Sequence, residues 1–286
     1  MVEEFVQIII KGSYQNRLNN FSRQPPLIRI AMATNDPLII AHRGESHDAP
    51  ENTLASVNLA WERGASAVEV DVHATADSKI AVIHDSNTLR TTGQKLIVAK
   101  TPLSDLQQLD AGSWKGPQWA CERIPSLPEV LATVPPEGKL LVEIKSGPEL
   151  LEPLRQATRD SGLRPDQIEI ISFSLDTLTA AKRAMPQHKM MWVIRSHPLW
   201  RQYIRGVHPK ALLMKLGRFG ITGVTIGDSR YLNRTFVHHL KAAGRPVYVW
   251  TVNDPLRAAA LLKFGVDGIT TDRAAWMTTV MQQFRG

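Results

Sequence analysis

The sequence predicts an α/β fold, a TIM (β/α)8 barrel with a small lobe inserted after the second barrel strand. Three observations carry the prediction. From Leu38 onward, short apolar runs alternate with amphipathic stretches, and each run is apolar enough to be covered on both faces, as strands of a parallel sheet are. Eight such runs fit within 286 residues, which favours a closed barrel over an open doubly wound sheet. No glycine-rich dinucleotide or nucleotide loop follows the first run, which also weakens the open-sheet alternative.

Residues 1–36 stand outside this rhythm. Asn16, Asn19, Asn20, Gln24 and the adjacent Pro25 and Pro26 interrupt any sustained period, so the segment reads as a partly disordered N-terminal extension ahead of a barrel domain spanning 37–286. Met32 as an internal start, and residues 6–10 as a docking arm, are competing readings. Leu38-Ile39-Ile40-Ala41 is the first strand, and residues 53–63 form a helix with Asn52 or Thr53 as its N-cap. Strands follow at 67–72 and 139–144, then a helix at 149–161 closed by Gly162. The strand at 168–172, helix at 175–185 and strand at 190–194 continue the alternation. Helical turns come next, with Pro198 and Pro209 near their starts. A strand at 223–226 leads to a helix at 235–243 closed by Gly244, and the chain ends with strand 246–252, helix 255–264, strand 268–271 and helix 274–284. Between 73 and about 136 the rhythm breaks: 80–83 reads as a short strand, but 91–101 and 112–124 show neither period. This stretch is the inserted lobe. It belongs over the barrel mouth, because barrel sites lie at the carboxyl ends of the strands.

The apolar share of 43% supplies ample core. With 34 Lys and Arg against 27 Asp and Glu, the net charge of +7 favours anionic ligands. The cations are scattered and not interleaved with aromatics, so they read as a solvated surface and no nucleic acid partner is expected. Cys121 is the only cysteine, which excludes an internal disulfide, and no neighbour marks it as a nucleophile. The Asn233-Arg234-Thr235 sequon carries no weight without secretion. No stretch approaches the roughly 20 apolar residues of a membrane span. Residues 6–10 are apolar, but Glu3 and Glu4 precede them and Lys11 follows, the reverse of a secretory signal. A cytoplasmic protein without a membrane span is expected, with a homo-oligomer left open.

The chemistry concentrates at predicted strand ends. Glu69 and Asp71 are two apart on one strand, so both point to the same side, into the barrel if Val68, Val70 and Val72 face the helices. Glu143 ends another strand and brings a third acid to the rim. Carboxylates this close repel unless a proton or cation lies between them, and an all-oxygen set suits Mg²⁺ or Ca²⁺. His42 ends the first strand and His84 the strand inside the lobe, a pair suited to accepting one proton and donating another. His47 and His73 are nearby competitors, read as supporting or surface groups, and Asp85 either orients an imidazole or caps a turn. Arg43 is able to grip two phosphate oxygens, whereas Lys145, two residues after Glu143, acts as a point charge. A Schiff-base role for Lys145 is the rival, and the three acids oppose it by keeping the ammonium protonated.

His42-Arg43-Gly44, Pro50-Glu51-Asn52-Thr53, Glu69-Val70-Asp71, His84-Asp85 and Glu143-Ile144-Lys145 together resemble the glycerophosphodiester phosphodiesterase family in its bacterial cytoplasmic form. Ser172-Phe173, Trp250-Thr251-Val252-Asn253, Gly265-Val266-Asp267-Gly268 and Thr271-Asp272 extend the likeness over most of the chain from Leu38. The resemblance implies metal-dependent hydrolysis of glycerophosphodiesters to glycerol 3-phosphate and an alcohol. It implies a divalent cation on Glu69, Asp71 and Glu143, with Glu51 beside that cluster. It also implies His42 and His84 as the acid/base pair, and Arg43, Lys145 and Trp250 on the substrate, Trp250 near the glycerol end. The attacker is either water or the neighbouring glycerol hydroxyl, the latter giving a cyclic phosphate. A related lysophospholipid or phosphoinositide phosphodiesterase, and a non-catalytic barrel binding phosphorylated ligands, are the alternatives; Trp114 and Trp119 leave an acyl-chain groove open. Thr75-Ala76-Asp77-Ser78 departs from the family's usual Thr-Lys-Asp-Gly turn, which bears on loop shape.

Overall fold

A computed structural model describes residues 37–195, 209–229 and 232–283. The first half of the chain contains β1 (Leu38–His42), α1 (Leu54–Glu62), β2 (Ala67–Ala74), β3 (Ile80–Val82), α2 (Leu89–Thr92), α3 (Leu103–Leu106), α4 (Leu127–Leu131) and β4 (Lys139–Ile144). It continues through α5 (Leu151–Asp160), β5 (Ile168–Ser172), α6 (Leu175–Ala184), β6 (Lys189–Ile194), α7 (Lys210–Arg218) and β7 (Gly223–Gly227). The last elements are α8 (Arg234–Ala242), β8 (Val247–Trp250), α9 (Pro255–Phe264), β9 (Gly268–Thr271) and α10 (Ala274–Gln283).

Strands that are apolar on both faces need cover on both, and here the sheet supplies one cover by closing on itself. The order β1-β9-β8-β7-β6-β5-β4-β2 is parallel throughout and is sealed by β1 against β2, with Ile40 opposite Ala67 and His42 opposite Glu69. The result is a closed eight-strand barrel. Val68, Val70 and Val72 are fully buried in the shared core between strands and helices. Ile40, Ala67, Leu141, Ile171, Met191, Val193 and Tyr248 pack together on the other side of the strands and fill the barrel. Near the amino ends of the strands, buried Glu169 accepts from the Tyr248 hydroxyl at 3.0 and 3.2 Å and from Lys189 Nζ at 3.2 Å.

Polar residues set the helix starts. Thr53 accepts from the Ser56 amide at the start of α1, and Ser174 does the same for α6. Asn233 of the sequon accepts from the Phe236 amide and so caps α8.

β3 folds back antiparallel onto the outer edge of β2, Val72 opposite Val82, and so lengthens β2 to Ala74. The residues beyond β3 build their own small core from Ala81, Ile83, Val98, Leu103, Leu106, Leu109, Ala111 and Ile124. These apolar groups converge through four-residue helices and two 3-10 turns, Val98–Lys100 and Pro117–Trp119, too short to show a period in the sequence. The 75–78 turn is tied into this lobe, since Asp77 Oδ1 accepts from the Thr75 hydroxyl and the Leu103 amide. With α4, opened by a Ser126–Glu129 capping box, the chain returns to the main core. The helix expected from 149 divides into a 3-10 turn, Pro148–Leu150, and α5. The N-terminal extension, the turns near Pro198 and the Phe284 end of the last helix lie outside the described residues. No helix among the described residues is long and apolar enough to cross a membrane.

Candidate active site

All the chemistry-bearing strands end at one mouth. There a cavity of about 200 Å³ is lined by His42, Arg43, Glu69, His84, Glu143, Lys145, Phe173, Arg195 and Trp250, with Ile171, Val193, Thr225 and Thr270 completing it.

The β1 exit is a tight turn built for the acids behind it. Arg43 has φ +56° and Gly44 φ +82°, and a Cβ on Gly44 would sit 2.5 Å from the Ser56 carbonyl carbon, so only glycine fits. Asn52, also left-handed at φ +58°, hooks Asp71 from both sides: its Nδ2 donates to Asp71 Oδ2 at 2.9 Å, and its Oδ1 accepts from the Asp71 amide at 3.1 Å. The sequence expectation for Asn52 or Thr53 as a cap thus resolves into two jobs, Thr53 on the helix and Asn52 on the acid.

Glu69, Asp71 and Glu143 each offer a carboxylate oxygen, all within 4.8 Å of one another, and all three residues are buried. Burial, then the negative charge of Asp71, pushes Glu69 well above and Glu143 above the ordinary carboxylate range. Burial pushes Asp71 up too, but Lys145 and Arg43 outweigh it and hold Asp71 at about 2. Lys145 Nζ lies 3.0 Å from Asp71 and 2.6 Å from Glu143, and Arg43 Nε lies 3.0 Å from Asp71. Burial draws the Lys145 ammonium down, yet Asp71 and Glu143 raise it above its ordinary value, so it stays charged and is no Schiff-base nucleophile. Three acids face two cations, and Glu69 Oε1 is a buried acceptor with no hydrogen-bond partner among the described residues. That surplus negative charge and the all-oxygen donors fit a divalent cation such as Mg²⁺ or Ca²⁺.

Both histidines are held by a carboxylate on Nδ1, which leaves Nε2 as the nitrogen outside that contact. His42 Nδ1 lies 2.6 Å from Asp272 Oδ1, because barrel closure sets β9 beside β1. Burial pushes Asp272 up, but the His42 contact and Asn253 Nδ2 at 2.6 Å hold it at about 2. His84 Nδ1 lies 2.6 Å from Asp85 Oδ1, so Asp85 orients an imidazole. Burial lowers the His84 imidazolium below its ordinary value, against the pull of Asp71 and Asp85. His73 Nε2 donates to the His84 carbonyl at 3.1 Å, whereas His47 pairs with Asp48 at the surface.

Glu51 does not join the three acids. Its Oε1 accepts from Arg43 Nη1 at 2.8 Å, and both its oxygens accept from Arg90 at 2.8 Å. The remaining Arg90 nitrogen, Nε, donates to Asp85 at 2.7 Å, so this residue of α2 braces the carboxylates behind both Arg43 and His84. Sequence reasoning missed Arg90 and the partner role of Asp272. Trp250 stands at the cavity wall with its Nε1 on the Thr225 carbonyl and its ring edge-on to Phe173 at 5.7 Å. Trp114 and Trp119 belong to the lobe, and neither lines the cavity.

Known proteins share this architecture. YhdW of Bacillus subtilis is 36% identical over 237 residues, covering 82% of this chain and 93% of its own length. The glycerophosphodiester phosphodiesterase of Caldanaerobacter subterraneus subsp. tengcongensis is 33% identical over 242 residues, with 82% and 93% covered. The solved structure of an Oleispira antarctica phosphodiesterase in complex with the product sn-glycerol-3-phosphate superposes with a TM-score of 0.75 at 30% identity, covering 86% of this chain and 97% of that one. Residues 42–275 match the glycerophosphoryl diester phosphodiesterase family, and the chain belongs to that family of phosphodiester-hydrolysing enzymes.

Proposed function

We propose that this chain hydrolyses glycerophosphodiesters to glycerol 3-phosphate and an alcohol in a cation-dependent reaction, with His42 and His84 exchanging protons. The observation that carries the reading is the convergence on one cavity of two carboxylate-held imidazoles, Arg43, Lys145 and two acids, Glu69 and Glu143, of a buried cluster that Asp71 completes. A divalent cation on Glu69, Asp71 and Glu143 would supply Lewis-acid charge at a phosphoryl oxygen. Arg43 and Lys145 add fixed positive charge to the same wall, where the crowded phosphorus gains negative charge. With Nδ1 of each ring held by Asp272 or Asp85, one ring in its neutral form takes the proton of the attacking oxygen on Nε2, and the other in its protonated form gives its Nε2 proton to the departing alcohol. His84, whose burial disfavours the charged ring, is suited to the accepting part. The attacker is water or the glycerol hydroxyl next to the phosphate; a cyclic glycerophosphate visible by ³¹P NMR during turnover marks the second route.

A small, partly polar cavity supports short-alcohol diesters over acyl-bearing ones, since the lobe tryptophans that would greet a chain stand elsewhere. The test is release of glycerol 3-phosphate from glycerophosphocholine with Mg²⁺ or Ca²⁺, and with chelator. His42→Ala and His84→Ala are each expected to fold and to lose about two or more decades of activity. Chelator-insensitive turnover removes the cation from the reading, and unchanged activity in either variant removes that histidine.

A further inference from the structure

We propose that Arg195 makes this cavity select glycerophosphodiesters whose alcohol carries a second anionic group, an inference that rests on the hydrolytic reading above. Arg195 directly follows β6 and lines the cavity together with His42, Arg43 and Lys145. In the ring of eight strands β6 stands four places from β1, so Arg195 faces His42 and Arg43 across the mouth. Its guanidinium lies 4.9 Å over the Phe173 ring, which is itself braced edge-on by Trp250.

Charge pairing separates Arg195 from the other cations of the cavity. Arg43 and Lys145 are tied to Asp71, Glu51 and Glu143, whereas Arg195 makes no ion pair with a carboxylate among the described residues. The sequence gives a reason: residues 177–227 contain nine Lys and Arg and not one Asp or Glu, so its own strand and the flanking turns have nothing to neutralise it. A guanidinium stacked on an aromatic face, half in solvent, is weakly hydrated and presents a planar fork of donors that matches carboxylate or phosphate oxygens. In this proposal the glycerol lies against Trp250 and the alcohol extends from the phosphate toward the β6 exit, where its anionic group meets Arg195.

The test compares kcat/KM of the full chain, at one fixed cation concentration, for sn-glycero-3-phosphoserine and sn-glycero-3-phosphoethanolamine, which differ by a single carboxylate. Wild type is expected to prefer the serine diester by about tenfold, the scale of one partly solvated charge-assisted contact. Arg195→Gln is expected to abolish that preference, Arg195→Lys to keep part of it, and added salt to shrink it in the wild type. Equal efficiencies in the wild type, or an undiminished serine preference in Arg195→Gln, overturn the proposal and leave the hydrolytic reading standing. Cleavage of neither diester, nor of glycerophosphocholine, overturns both.

Discussion

Two buried carboxylates sit inside the same barrel, one near each end, and their surroundings differ in kind. Glu169, near the amino ends of the strands, is fully buried, accepts from the Tyr248 hydroxyl with both oxygens and faces Lys189. Burial, then that neighbouring negative charge, pushes the Tyr248 hydroxyl above its ordinary value, so it remains a donor. Glu69, at the carboxyl ends, shares its space with two more acids and keeps one oxygen without a hydrogen-bond partner. Desolvating a charge is costly unless a partner compensates, and the fold matches both oxygens of the first carboxylate but only one of the second, through the Arg43 amide. On the proposed reading, a cation completes the second.

Substitutions at the two acids break this comparison most sharply. Glu69→Gln is expected to cost about three decades in turnover, by removing a ligand to the cation that draws charge off phosphorus. It should leave the melting temperature of the cation-free protein undiminished. Glu169→Ala is expected to do the opposite: a loss of about 3 kcal/mol in urea unfolding, because Tyr248 and Lys189 lose their shared partner, with turnover of the folded fraction retained. If Glu69→Gln destabilises as much as Glu169→Ala, the two ends are alike and the contrast fails.

Cation binding sharpens the same point without any assay of turnover. At about 100 times its dissociation constant, Mg²⁺ or Ca²⁺ should stabilise the wild type by about 2.7 kcal/mol, read as a rise in melting temperature. Glu69→Gln should lose most of that rise and Glu169→Ala should keep it.

A smaller effect is expected one layer out. Arg90 spends three nitrogens on Glu51 and Asp85, a geometry that a lysine ammonium has no means of reproducing. Arg90→Lys should therefore lower kcat by about tenfold, in the range of lost supporting contacts at metal sites, with KM and melting temperature little moved. A change in melting temperature alone, with kcat intact, would make Arg90 a brace of the lobe only.

The mildest signature is in acid. Hydrogen bonding by Arg90, then by His84, holds Asp85 at about 2, against an unfolded value near 4. A depressed carboxylate stabilises the fold above its unfolded value, and that contribution fades as pH falls from about 4 to about 2. Urea midpoints measured across that window should drop less steeply in Asp85→Asn than in the wild type.

Much of this was legible from residues alone. The strand pattern foretold the barrel because parallel strands must be apolar on both faces, and the two-residue spacing of Glu69 and Asp71 placed both acids inside it. What escaped depended on closure or on very short elements. Asp272 reaches His42 across 230 positions only because the last strand pairs with the first. Arg90 rides on a four-residue helix, which has no period to detect. Asn52 reads as a helix cap, and only its left-handed backbone turns the amide back onto Asp71.

The antiparallel seam between β2 and β3 has a consequence for how the molecule breathes. The Ile83 amide donates to the carbonyl of Asp71 itself at 2.9 Å, and the next rungs join Val72, His73 and Ala74 to the lobe. The lobe is thus no independent flap: fraying at this hem slackens the backbone that aims a carboxylate. Deuterium uptake at Ile83 should report both events as one cooperative opening.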